Sequence, residues 1–129
     1  MIKIQTVRLL LLPLLALLLL MTGCTETVHI QLDPKINAYV VTDRNHSISL
    51  VETDAAYVEL SNWLQNNQTG WHDTAGRFPG GVYIKSGDNG IQVTGMEVVI
   101  YSTKGREPDA KYVRSVGKTE LPFVRGLGQ

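Results

Sequence analysis

Three histidines, one cysteine and twelve carboxylates are the residues of this 129-residue chain best suited to metal or acid–base chemistry. His29, His46 and His72 are spaced too widely for a His-x-His or His-x-x-x-His pair, so the sequence carries no local metal-ligand motif. It also lacks the Gly-x-Ser-x-Gly elbow of a hydrolase, a Gly-rich phosphate loop opening a helix, and HExxH. Gly80-Gly81 precedes a strand pattern and reads as a turn. His72 and Asp73 are adjacent, and adjacent residues on extended chain point to opposite faces, which makes them a poor dyad. No catalytic residue, metal or cofactor is assigned on these grounds, and the chain is expected not to be an enzyme.

The most individual stretch runs from Trp63 to Pro79 and holds both tryptophans. Trp63 falls on an apolar helical stripe and is expected in the core. Trp71 follows Gly70 and stands beside His72, Asp73, Arg77 and Phe78, a composition common to recognition surfaces. Two placements are open for Trp71: folded back over the end of the helix, or exposed as a contact residue. Trp71, His72, Asp73, Arg77 and Phe78 are accordingly the candidate partner-binding set.

Cys24 is the single cysteine, so no intramolecular disulfide can form. What precedes it gives it a different role. Lys3 and Arg8 form a short positive region, and Leu9 to Leu20 is a leucine run broken only by Pro13 and Ala16. Such a run is short for a bilayer span and fits the apolar region of an export signal. Leu20-Met21-Thr22-Gly23-Cys24 then resembles the lipobox of bacterial lipoproteins, with Met21 where Leu is usual. The resemblance implies cleavage before Cys24 by signal peptidase II and attachment of diacylglycerol to the thiol, making a membrane anchor. Thr25 in place of Asp after the cysteine implies, by the same resemblance, the periplasmic face of the outer membrane of a Gram-negative bacterium. An anchor of two or three acyl chains, each buried CH₂ contributing about 0.8 kcal/mol, is effectively permanent.

The mature chain keeps ten basic residues against twelve acidic, a net charge of −2, and nothing in that balance points to nucleic acid. The charge is uneven. From Cys24 to Thr103 four basic residues face nine acidic ones, a net of −5, whereas Lys104 to Gln129 carries six basic against three acidic, a net of +3. The basic end reads either as an ordinary mixed-charge surface or as a contact for anionic headgroups or an acidic partner.

These residues need elements to hold them. Val28, Ile30 and Leu32 alternate with polar residues, which predicts a strand ended by Asp33-Pro34. Ala38–Thr42 and Ser47–Val51 predict a hairpin whose turn is the polar cluster Asp43 to His46. Tyr57, Leu60 and Leu64 recur at helical spacing after the candidate caps Thr53 and Asp54, predicting a helix to about Asn66. Val82–Lys85, Ile91–Thr94 and Glu97–Ser102 predict an antiparallel meander, with a last strand around Tyr112–Val116.

The fold class is therefore α+β, one amphipathic helix on a mostly antiparallel sheet of about five to six strands. The expected organisation is a signal peptide over 1–23, a lipidated cysteine and tether over 24–27, one domain over 28–116 and an extended tail over 117–129. The Trp-Leu pair at Trp63-Leu64, followed by Asn, Gly and Trp, is similar to a pattern in small bacterial lipoproteins of unassigned function, which implies a class and no activity. The leading expectation is an anchored, non-enzymatic protein-binding module of the assembly or inhibitor/immunity type. The alternatives are a small envelope enzyme acting on peptidoglycan or lipid, with His72 and Asp73 near its site, and a purely structural envelope protein.

Overall fold

The computed structural model describes residues 25–129. The signal peptide, the lipobox and Cys24 lie outside the described residues. Seven strands form one antiparallel sheet: β1 (Lys35–Val40), β2 (Asp43–Val51), β3 (His72–Asp73), β4 (Val82–Ser86), β5 (Asn89–Val93), β6 (Glu97–Ser102) and β7 (Asp109–Ser115), in the spatial order β2-β1-β4-β5-β6-β7-β3. Two helices complete the domain, α1 (Ala55–Asn66) and the short α2 (Pro122–Gly126). The α+β class holds, with one strand and one helix beyond the number read from the sequence.

Period-two alternation divides the sheet into two faces. On the inner face Ile36, Ala38, Leu50, Val82, Ile84, Ile91, Val93, Val98 and Ile100 are buried. There they meet the stripe Ala56, Tyr57, Leu60, Trp63 and Leu64 of α1 in one core cluster. That stripe repeats at three and four residues, the spacing of one helical face. Asp54 is the N-cap residue, but its carboxylate accepts from the backbone N–H of Val51 at 2.7 Å rather than from the helix.

The segment expected to be a first strand, Val28 to Leu32, forms no strand; the chain before it makes an isolated bridge between Glu26 and Trp71, and the Asp33 N–H after it donates to the Ser86 hydroxyl of β4 at 2.8 Å. The segment runs beside α1 instead. Val28 N–H donates to the Gln68 carbonyl at 2.7 Å, Gln65 Nε2 to the Ile30 carbonyl at 3.2 Å, and the Tyr57 hydroxyl to the carbonyls of Leu32 and Asp33. Its alternation was real, since Val28 and Leu32 enter the core; the groups satisfying its backbone belong largely to the helix and the residues after it.

The hairpin is present with its turn moved. Val41-Thr42 makes the turn, and the pairing jumps from Tyr39↔Ser47 to Val40↔Asp43, so Arg44 to His46 form a bulge in β2. The polar cluster therefore marks a bulge next to the turn. The meander β4-β5-β6-β7 follows the sequence closely.

The tail is a correction. Leu121 and Val124 are buried, and Pro122 opens α2 at the first helical position, where its missing N–H costs nothing. The Glu59 carboxylate on α1 accepts from the backbone N–H groups of Phe123 at 3.0 Å and Val124 at 3.1 Å. Arg125 donates to the carbonyls of Glu120, Thr94, Gly95 and Gly117. These contacts tie 117–129 to the domain.

Candidate partner-binding surface

Trp71 does not lie on the surface. It is 1% exposed, its indole Nε1–H donates to the Asn67 carbonyl at 2.7 Å, and its ring meets Trp63 edge to face at 6.0 Å and 86°. Gly70, at φ +80°, makes the reversal that folds it back over the helix end. Arg114 lies 5.7 Å from the Trp63 ring centroid and donates to the Thr69 carbonyl, so the basic C-terminal segment supplies a packing residue here. A contact role for Trp71 is replaced by a core role, because its burial leaves a partner nothing to touch.

The other four candidates are on the surface or close to it. His72 pairs with Val113 and Asp73 with Tyr112 at the sheet edge, both exposed and on opposite faces. From there the chain must travel from β3, at one edge, to β4, across the positions of β7, β6 and β5. The strap that does this is Thr74–Gly81. Thr74 N–H donates to the Lys111 carbonyl. Arg77 is exposed and Phe78 half-buried.

Gln92 fixes the strap. It is 3% exposed on the outer face of β5, and its Nε2 donates to the carbonyls of Phe78 and Gly80, each at 2.7 Å. Its Oε1 accepts from the Tyr101 hydroxyl at 2.5 Å. A side-chain amide has two donors, and both are spent on holding this loop. Gly80 and Gly81 end the strap at φ +79° and +81°, and a Cβ on Gly81 would run into the Val93 carbonyl. Here glycine is required by both backbone and space.

Beside the strap the outer face continues as a row that crosses every strand. Ser47, Tyr39, Tyr83, Gln92, Val99, Val113 and His72 are successive cross-strand partners. The next row sets Ser49, Asn37, Lys85, Gly90, Tyr101 and Ala110 side by side. Gly90 leaves a gap into which Tyr83 leans, its ring edge to face with Tyr101 at 5.7 Å. The Tyr83 hydroxyl is buried without a hydrogen-bond partner. Burial, then the neighbouring Tyr101 and Tyr39, push the Tyr83 phenol above its usual range, and burial does the same to Tyr101.

Gln92, Tyr39, Tyr83 and Tyr101 carry no local motif that marks them in the sequence. Alternation in Val82–Lys85 already put Tyr83 and Lys85 opposite the buried Val82 and Ile84; what it lacked was the register bringing Tyr39 and Tyr101 alongside. Among the described residues the histidines and carboxylates form no group of three or more able to hold a metal. Two concavities of about 300 and 320 Å³ lie away from His72, Asp73, Arg77 and Phe78, one beside Arg125 and the chain end, the other beneath Thr27–Ile30. Among the described residues no helix is long and apolar enough to cross a membrane. No protein-family model, curated protein or solved structure matches the chain.

Proposed function

We propose that this chain is a lipid-anchored envelope protein whose domain serves as a non-enzymatic protein-binding module, of the assembly or inhibitor/immunity type. The observation that carries the reading is the clamp of Gln92 on the strap. A loop that crosses a sheet face, bonded to a buried amide and presenting Arg77 and Phe78, has already met the ordering cost that a mobile loop would meet on binding. His72 continues the same face at the sheet edge. Asp73 points the other way and belongs to this surface only at its rim.

Anchoring rests on the lipobox resemblance, and it sets the geometry of the partner. Backbone pairing begins at Glu26, two residues after Cys24, so a lipidated cysteine would hold the domain against the bilayer with almost no tether. The partner is then an envelope protein that comes to the membrane surface. In-cell crosslinking of wild type and Arg77→Ala, with mass spectrometry of the captured species, tests the reading. A discrete partner diminished in the variant supports it. No reproducible partner from a correctly anchored protein overturns it.

A further inference from the structure

We infer that the partner is acidic where it meets this protein, and that it docks on the open half of the outer sheet face, across β2, β1 and β4. The inference rests on the anchored binding-module reading and extends its surface beyond the strap. Between Cys24 and Thr103 the chain is acidic, yet Lys35 and Lys85 occupy outer-face positions and Arg77 is exposed on the strap that crosses the same face. Among the acids in the strands, only Glu97 takes an outer-face position; Asp43, Asp73 and Asp109 fall on the inner side by their pairing with Val40, Tyr112 and Ser102. Of the four cations between Cys24 and Thr103, three, Lys35, Lys85 and Arg77, thus stand on or over the outer face, while Arg114 of the basic C-terminal segment falls on the inner side by its pairing with Val98.

The same half carries aromatic contact area. Tyr39 and Tyr83 are half-buried direct cross-strand neighbours, with Asn37 and Lys85 in the adjoining row. Tyrosines of this kind supply rigid, amphipathic contact at small entropic cost, and interfaces are enriched in them. The surface is a sheet face and not a cleft, which suits a protein more than a small ligand. It also lies four to six strand positions from the β3 edge, where the chain enters at Glu26, or about 19 to 29 Å at about 4.8 Å per strand. That distance from the attachment point favours a protein over the headgroup layer.

A photoreactive amino acid placed at position 39, and separately at the exposed strap position 75, in the full chain expressed in its own envelope tests this. From position 39 the expected product is one discrete protein adduct whose crosslinked peptide is rich in Asp and Glu. Its yield should fall about tenfold or more in Lys35→Glu/Lys85→Glu, because like charges then face each other, and persist in Lys35→Arg/Lys85→Arg. Both lysines are exposed, so neither pair of changes disturbs the core. An adduct from position 75 with none from position 39 overturns the inference and leaves the binding-module reading standing. So does an adduct from 39 that ignores the charge reversal, or one formed with phospholipid. Absence of adducts from both positions overturns the reading itself.

Discussion

The Tyr101 hydroxyl donates to Gln92 Oε1 at 2.5 Å, and this bond aims the other end of the Gln92 amide at the strap. With Oε1 engaged, Nε2 faces the carbonyls of Phe78 and Gly80. A buried glutamine that bonds three partners couples the neighbouring strand β6 to the loop that passes over the sheet.

Gln92→Leu keeps most of the volume and removes every one of those bonds. Leaving the Phe78 and Gly80 carbonyls and the Tyr101 hydroxyl without their partner should lower stability by about 1–3 kcal/mol, measured by denaturant unfolding. Amide exchange should rise in 75–81 and stay unchanged in β6. An unchanged exchange rate in the strap would show that Gln92 does not hold it.

Tyr83→Phe should leave neutral stability nearly unaltered, since the hydroxyl it removes has no partner. The alkaline side should differ. A phenol whose folded pKa is raised contributes stability that is fully present below the unfolded value of about 10 and is lost as pH rises through the folded value. Wild type should therefore lose stability above about pH 10, and the variant should lose less of it. Equal alkaline losses would contradict burial of the Tyr83 phenol.

Trp71→Ala should behave as a core mutation. Emptying a site that is 1% exposed typically costs about 3–5 kcal/mol, against a net stability of about 5–15 kcal/mol for a small domain. Thermal unfolding reads the loss directly. A variant of near wild-type stability that fails only in partner capture would return Trp71 to the surface.

Cys24→Ser should abolish incorporation of radiolabelled palmitate and release the protein from the membrane fraction, because it removes the thiol that the lipobox resemblance marks for acylation. Continued labelling, or a membrane-bound variant of the processed size, would contradict lipidation at Cys24.

What the sequence made legible were the elements whose signal is local. The stripe Tyr57, Leu60 and Leu64 locates α1, and Glu97–Ser102 has the bounds of β6. Elements held by distant partners were not legible. β3 is two residues long and exists because β7 lies beside it. The helix at Pro122–Gly126 depends on Glu59, more than sixty residues earlier in the chain, and no window around Pro122 contains that carboxylate. Trp71 shows the same limit for the site. Its neighbours looked like a recognition loop, and His72, Arg77 and Phe78 do lie on or near the surface, but only the return at Gly70 and the meeting with Trp63 decide which way the indole turns. Tyr39, Tyr83 and Tyr101 are separated along the chain by strands and turns and become neighbours only through register.

The central claim, that a clamped strap presents a protein-binding surface, is tested most directly by a photoreactive residue at position 75, which leaves Arg77 and Phe78 in place, in otherwise wild-type and Gln92→Leu chains, compared in the intact envelope. The account expects a discrete protein adduct in the first and its marked loss in the second, at equal abundance and equal membrane association. No adduct in either chain, or an adduct of equal yield in both, would contradict it.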